Sequence, residues 1–119
     1  MARVLVVDDA AFMRRMISDV LTKGGHEVAG EAADGVAAVA AYQEVRPELV
    51  TLDITMPEKD GLDALREIIA LDPSARVVMC SALGQESRVI ESVKLGARDF
   101  VVKPFKPEQV LAAVDKALA

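Results

Sequence analysis

Short apolar runs recur along the chain and alternate with longer stretches in which apolar residues follow helical spacing. Four of these runs are rich in β-branched residues and cover residues 4–7, 49–52, 77–80 and 100–102. Continuous apolar runs of this length are typical of strands that are covered on both faces, as in a parallel sheet. The segment 26–32 is more mixed and contains a glycine, so we predict that it forms an edge strand.

Helical patterns lie between these runs. In the first pattern, an apolar stripe faces away from charged residues, and its members are Phe12, Met13, Met16, Ile17, Val20 and Leu21. We expect Gly24 and Gly25 to end this helix. Similar stripes occupy residues 36–42, 62–71, 89–95 and 110–118. A strand followed by a helix therefore repeats five times, which predicts an α/β sandwich with a parallel sheet and right-handed crossovers.

Composition and charge narrow the class of protein. The 119 residues are the size of one domain, 1–119, which is long enough to bury a core without disulfide or metal cross-links. The net charge of −5 argues against general binding to nucleic acid, which depends on basic residues. A single cysteine, Cys80, excludes an internal disulfide and suits a reducing cytoplasm, where we interpret it as a small core residue. No leader-like or membrane-spanning stretch is evident, so we expect a cytoplasmic monomer.

Polar residues follow the apolar runs at four places. Asp8 and Asp9 follow the run 4–7, and Asp53 follows the run 49–52. Ser81 follows the run 77–80, and Lys103 follows the run 100–102. In open α/β sheets, ligands bind outside the carboxyl ends of the strands, where the strand order reverses. If the third strand starts back on the other side of the first, Asp8, Asp9 and Asp53 converge at that point.

Three carboxylates in one crevice repel one another and are most simply explained by a divalent cation. Every candidate ligand is an oxygen, and no histidine or second cysteine lies nearby, so we predict Mg²⁺, with Mn²⁺ as its substitute. Mg²⁺ keeps open positions that can bind phosphate oxygens. Each acid alone would be interpreted as a helix cap or a solvated loop residue, but the three together favour a cation site.

Four motifs in this order and spacing resemble the receiver domains of two-component response regulators: VDD near the start, LDITMPEKDG around Asp53, CSA at 80–82 and DFVVKPF at 99–105. The resemblance covers the whole chain. DDAAFMRR, DITMPEKDG and CSALGQES are similar to the chemotaxis branch of that family in Gram-positive and thermophilic bacteria. It implies a flavodoxin-like (βα)5 three-layer sandwich, with a parallel five-stranded sheet of order 2-1-3-4-5.

The resemblance also implies a role for each acidic residue. Asp53 would be the phosphoacceptor, whose carboxylate attacks a phosphoryl group and becomes an acyl phosphate. Asp9 and Asp53 would bind Mg²⁺ directly and Asp8 through water, and the backbone carbonyl of Thr55 would complete the protein ligands. The chain would thus catalyse its own phosphoryl uptake without being an enzyme that turns over a substrate.

Lys103 and two further residues complete the implied site and its switch. The positive charge of Lys103 would lie opposite a phosphoryl oxygen, and a cis peptide bond to Pro104 would direct the lysine side chain inward. The hydroxyl of Ser81 would move toward the phosphoryl group, and the aromatic ring of Phe100 would turn into the vacated space. Phe100 lacks the hydroxyl that many receivers carry there, so we expect packing alone to drive this rotation. The alternative interpretation is that Phe100 is an ordinary core residue, and that Ser81 is an ordinary residue at a strand end.

Two positions in this family tune hydrolysis of the acyl phosphate, and Thr55 and Leu83 occupy them here. Leu83 cannot hold an attacking water and Thr55 can do so only weakly, so we expect slow self-dephosphorylation. The implied partners are a histidine kinase of the chemotaxis type, a flagellar motor switch protein and a phosphatase. Their binding would use helix 4, strand 5 and helix 5, about residues 86–118, whereas His26 would be structural or solvated.

Other functions remain open at this point. A phosphatase with an aspartyl nucleophile would place a second acid two residues after it, where this chain has Thr55. A receiver cut from a transcription factor or a methylesterase would carry a linker, and the final helical pattern runs almost to Ala119, so we expect a free-standing protein. A single-domain phosphorelay intermediate would have the same site. A pseudo-receiver is disfavoured because the full set of site residues is present.

Overall fold

Five strands and five helices alternate along residues 1–119, all of which are described by the computed structural model. The strands are β1 (Arg3–Val7), β2 (Glu27–Ala32), β3 (Leu49–Asp53), β4 (Val77–Ser81) and β5 (Asp99–Val102). The helices are α1 (Ala11–Lys23), α2 (Gly35–Val45), α3 (Gly61–Leu71), α4 (Glu86–Leu95) and α5 (Pro107–Leu118). The predicted alternation is confirmed, and Gly24 caps the end of α1 as expected.

All strand pairs are parallel, and the order across the sheet is β2-β1-β3-β4-β5. The chain moves outward from β1 to β2 and then returns to the other side of β1 to form β3. The predicted flavodoxin-like order is therefore confirmed, with β2 at one edge. This reversal places the carboxyl ends of β1 and β3 side by side.

Helices cover the sheet on both faces, giving three layers. One core packs α2, α3 and α4 against residues such as Leu5 and Val7 of β1. The other packs α1 and α5 against the alternate residues Val4 and Val6, and it contains the buried Cys80. Successive residues of β1 thus enter different cores, which explains why its apolar run has no polar alternation.

The helices begin earlier than their apolar stripes. α4 starts at Glu86 rather than 89 and α5 at Pro107 rather than 110, while α2 extends to Val45. An apolar stripe marks only the residues that pack on the sheet, so it does not reveal a first helical turn made of polar residues. A capping residue marks such a start more directly. At α2, the Asp34 carboxylate accepts a hydrogen bond from the Ala37 N–H at 2.7 Å and so caps the helix.

Two aromatic residues lie outside the core, and for Phe12 this contradicts the predicted apolar stripe. Phe12 is 75% exposed, and only Ile17 and Leu21 of the α1 stripe are fully buried. Phe12 packs into neither of the two cores. Phe100 is 42% exposed on the edge strand β5, so its interpretation as a core residue is wrong for this state. His26 is structural, since its Nδ1 accepts a hydrogen bond from the Ala2 N–H at 3.1 Å.

No helix has both the length and the apolar character that crossing a membrane requires.

Candidate functional site

Three aspartates meet at the carboxyl ends of β1 and β3. Val7 pairs with Leu52 in the sheet, so the residues that follow them, Asp8 and Asp53, emerge next to each other. One carboxylate oxygen from each of Asp8, Asp9 and Asp53 lies within 4.8 Å of the other two. The predicted convergence of these residues is confirmed.

The two adjacent acids have different surroundings. Asp8 is fully buried and both of its oxygens accept hydrogen bonds, Oδ1 from the Ala10 N–H at 2.9 Å and Oδ2 from Lys103 Nζ at 2.9 Å. Asp9 is exposed. Ala10 occupies the cap position of α1 and has no side-chain cap, so neither acid caps the helix itself. The Asp8 carboxylate instead accepts from the N–H of Ala10, two residues later, and this hydrogen bond stabilises the turn that leads into the helix.

Lys103 is the cation of the site. Its Nζ lies 2.9 Å from Asp8 Oδ2 and 3.4 Å from Asp53 Oδ2. The peptide bond between Lys103 and Pro104 is cis, as the resemblance implied. Burial alone would lower the pKa of Lys103, but the hydrogen bond to Asp8 and the charges of Asp53 and Asp8 outweigh it and raise that pKa. The ammonium therefore stays charged beside the two carboxylates.

Asp53 lies in a buried position with a negative electrostatic potential. Only 6% of the residue is exposed. Burial and the charge of Asp8 raise its pKa to about 6, although the nearby Lys103 acts in the opposite direction. One lysine thus does not neutralise the carboxylates, and a further cation at this edge would be favourable. An all-oxygen donor set fits a hard divalent ion.

The loop after β3 closes tightly behind Asp53. The Gly61 N–H donates a hydrogen bond to the Ile54 carbonyl at 2.6 Å. A side chain at Gly61 would collide with the backbone carbonyl of Asp53, so this approach requires glycine. Asp60 then caps α3 by accepting from the Asp63 N–H at 3.0 Å. These contacts position the nucleophile candidate through the backbone.

The remaining predicted residues lie around this centre. Ser81, the last residue of β4, is buried and its hydroxyl donates to the Val101 carbonyl at 3.4 Å. Leu83 is 78% exposed, and Thr55 is also exposed. Phe100 and Leu83 line an apolar groove of about 470 Å³ between α4 and β5, with Val89, Ile90, Val93 and Val102. The residues that line this groove come from α4, β5 and the end of β4 with the loop that follows it.

Sequence reasoning missed two polar residues beside the site. Arg14 of α1 donates to the Asp8 carbonyl at 2.7 Å and pairs with Glu31 at 3.2 Å. Gln85 donates through Nε2 to the Thr55 hydroxyl at 2.8 Å, while its Oε1 accepts from the Ala82 N–H at 2.7 Å. Both residues lie within quoted motifs, Arg14 in DDAAFMRR and Gln85 in CSALGQES, but no pattern along the chain shows that their side chains reach Asp8 and Thr55.

The chain matches known proteins over nearly its whole length. Residues 4–115 match the response regulator receiver domain. Chemotaxis protein CheY of Thermotoga maritima is 57% identical and covers 96% of this chain and 95% of its own. CheY of Bacillus subtilis is also 57% identical, over 98% of this chain and 97% of its own. The solved CheX–CheY–BeF3–Mg²⁺ complex from Borrelia burgdorferi is similar, with a TM-score of 0.94 and 39% identity over 98% of this chain and 89% of that chain.

Fold, site and similarity therefore agree. The acidic pocket is consistent with a phosphoacceptor site, and the similarity extends across all four motifs. The chain belongs to the response regulator receiver domain family, similar to the chemotaxis regulators, and is a signalling protein rather than a turnover enzyme.

Proposed function

We propose that this receiver, as one domain of residues 1–119, accepts a phosphoryl group on Asp53 from a histidine kinase in a Mg²⁺-dependent reaction. The phosphorylated form then binds a flagellar motor switch protein in the cytoplasm. The observation that carries this proposal is the meeting of three carboxylates within 4.8 Å, with Lys103 Nζ 3.4 Å from Asp53 Oδ2. The similarity to chemotaxis proteins supports the motor as the target.

The chemistry follows from the charges of the site. Asp53 is ionised above its pKa of about 6, so one carboxylate oxygen can attack the phosphorus of a phosphohistidine. The new O–P bond forms as the N–P bond breaks and the electron pair leaves with the imidazole. Lys103 stabilises negative charge on the oxygens of the transferring group.

Mg²⁺ would be held by Asp9, Asp53 and the Thr55 carbonyl, with Asp8 acting through water. The hydrogen bonds of Asp8 support this division, because both of its oxygens are already accepting. Asp9 is exposed and so presents a free carboxylate. When bound, the ion lets the carboxylate and the phosphoryl group approach each other despite their charges.

Intact mass spectrometry tests the phosphoacceptor directly. Incubation with acetyl phosphate and Mg²⁺ should add the mass of one phosphoryl group to the wild-type chain and none to Asp53→Asn. An unchanged wild-type mass, or a gain that survives Asp53→Asn, would overturn the proposal. Turnover of a phosphomonoester with release of free phosphate would instead support an aspartyl phosphatase.

The output would use the groove between α4 and β5. Ser81 is hydrogen-bonded to the β5 backbone at the base of this region, and Phe100 lines the groove in a half-exposed position. When the Ser81 hydroxyl shifts toward the phosphoryl group, we expect Phe100 to turn inward, driven by packing alone. Crystals with and without beryllium fluoride test this, and the same Phe100 rotamer in both would rule it out.

The phosphoryl group should persist, because no side chain holds an attacking water. Leu83 is apolar and exposed, and the Thr55 hydroxyl is already bonded to Gln85. Dephosphorylation would then depend on a phosphatase or on reverse transfer. The double variant Thr55→Asn with Leu83→Glu should speed decay of the acyl phosphate, measured by intact mass over time. An unchanged decay rate would contradict this assignment.

Partner capture separates the remaining candidates. Beryllium fluoride-treated protein should retain a flagellar motor switch protein, whereas the untreated protein should not. Capture of a histidine phosphotransfer domain instead would indicate a phosphorelay intermediate. A receiver from a larger transcription factor or methylesterase would retain neither, and its phosphorylation would act on an attached domain.

A further inference from the structure

The side chain of Gln85 joins the two loops that border Asp53. Its Nε2 donates to the hydroxyl of Thr55, two residues after Asp53. Its Oε1 accepts from the N–H of Ala82, the residue after Ser81. The two distances are 2.8 and 2.7 Å, and Gln85 is half-buried between the loops. A single neutral amide therefore bridges the β3–α3 and β4–α4 loops.

This bridge replaces the usual cap of a helix. Gln85 is the cap residue of α4, yet its side chain makes no hydrogen bond to the helix. Only its backbone carbonyl accepts from the helix, from the N–H groups of Arg88 and Val89 at 3.0 Å each. The side chain points back toward the site instead. The position of the first turn of α4 is thus linked to the loops by Gln85.

The bridge occupies a backbone donor toward which a group on Asp53 would extend. Asp53 pairs with Cys80 in the sheet, so a group added to its carboxylate extends past the strand ends toward residues 81 and 82. Ala82 carries the first backbone N–H after β4, and Gln85 already accepts from it. An anionic oxygen is a stronger acceptor than a neutral amide oxygen. The two compete for the same N–H, and if Gln85 leaves, Thr55 loses its partner as well.

We propose that Gln85 is a positioning residue that holds both loops in their unphosphorylated arrangement and slows phosphoryl uptake on Asp53. This inference rests on the proposed function, because it assumes that Asp53 accepts the group. A variant without the bridge no longer has to break it, and its population is shifted toward the competent arrangement. Each neutral hydrogen bond is worth roughly a twofold to tenfold change in such an equilibrium.

Gln85→Ser is the sharpest variant, because serine is too short to reach Thr55 but can cap α4 and preserve the fold. With acetyl phosphate and Mg²⁺, we expect uptake, followed by intact mass, to be about threefold to tenfold faster than in wild type. Ser87→Ala is the matched control, since Ser87 is exposed in the same turn and should leave the rate unchanged. Equal or slower uptake in Gln85→Ser would overturn the proposal.

A second measurement reports the bridge without phosphorylation. Hydrogen exchange at the Ala82 amide should be slow in resting wild-type protein and faster in Gln85→Ser, while Ser87→Ala matches wild type. Thr55→Val should speed uptake in wild type but not in the Gln85→Ser background, because one side chain makes both bonds. Unprotected Ala82 in wild type, or additive rates, would contradict the bridge.

The two proposals fail separately. If wild type gains no phosphoryl mass, the proposed function is wrong. If wild type is phosphorylated as fast as Gln85→Ser, only the role of Gln85 is wrong.

Discussion

Asp53 is the residue whose chemistry depends most on its surroundings. Burial and the charge of Asp8 raise its pKa from 3.8 to about 6, and Asp9 acts in the same direction. The folded chain therefore holds this proton more tightly than the unfolded chain does. Above pH 6 the ionised carboxylate lowers the free energy of unfolding, and below pH 3.8 it has no effect, because it is protonated in both states.

Asp53→Asn should consequently stabilise the protein in the absence of divalent cations. We expect the free energy of unfolding to rise by about 1–3 kcal/mol at pH 8, since the variant removes a carboxylate that burial disfavours. The gain should fade as the pH drops toward 4. Urea unfolding at both pH values measures it, with the exposed Asp19→Asn as control. Equal stability of Asp53→Asn and wild type at pH 8 would contradict this account.

At the scale of elements, α3 and α4 are joined by polar contacts near the site. Asp60 caps α3 through the Asp63 N–H and also accepts from Arg88 of α4 at 2.9 Å. Arg66 of α3 pairs with Glu91 of α4 at 2.6 Å. Burial would raise the pKa of Asp60, but the hydrogen bonds from Asp63 and Arg88 outweigh it and lower that pKa. The start of α4 is therefore tied to the loop that follows Asp53.

Asp60→Ala should destabilise the fold by about 1–2 kcal/mol at pH 7, because it removes the cap of α3. Asp60→Ser keeps a capping oxygen and should lose less. The lowered pKa means that the aspartate stabilises the fold above its unfolded value of 3.8 and ceases to do so as the pH falls further. Urea unfolding of the three proteins at pH 7 and pH 3 tests both points. A difference that does not narrow between pH 7 and pH 3 would contradict a role of the charge.

At the scale of the molecule, the core and the site have separate places. Two apolar cores lie on opposite faces of the sheet, while the three acids gather at its carboxyl edge. The net charge of −5 adds to the negative potential there. A cation that binds this edge only in the folded chain must stabilise the whole fold, because unfolding is linked to its release.

Mg²⁺ should therefore raise the temperature of unfolding. At ten times its dissociation constant, the expected stabilisation is about 1.4 kcal/mol, which corresponds to a shift of several degrees. Asp9→Asn should lose most of this shift, because Asp9 is the exposed acid assigned to direct binding. Circular dichroism melts with Mg²⁺ and then with excess chelator provide the measurement. The same shift in Asp9→Asn would remove Asp9 from the ligand set.

Local patterns were enough to predict most elements but not their ends. The strands were predicted within a residue or two, because buried strands leave a continuous apolar run. The first turns of α4 and α5 were missed because the apolar stripe that marks each helix begins only after them. Phe12 was misplaced because hydrophobicity shows that a side chain prefers burial, not that a neighbour is there to cover it.

The sequence by itself determined the fold, its strand alternation and the acidic site. Parallel strands bring their carboxyl ends to one edge. The strand order implied by the family resemblance places β1 beside β3, so the convergence of Asp8, Asp9 and Asp53 could be predicted without distances. Only the tertiary structure decided that Asp8 is buried against Lys103, 95 residues away, while Asp9 is exposed. It alone brought Gln85 to Thr55 across 30 residues. These contacts depend on side-chain packing between distant elements, which no pattern along the chain records.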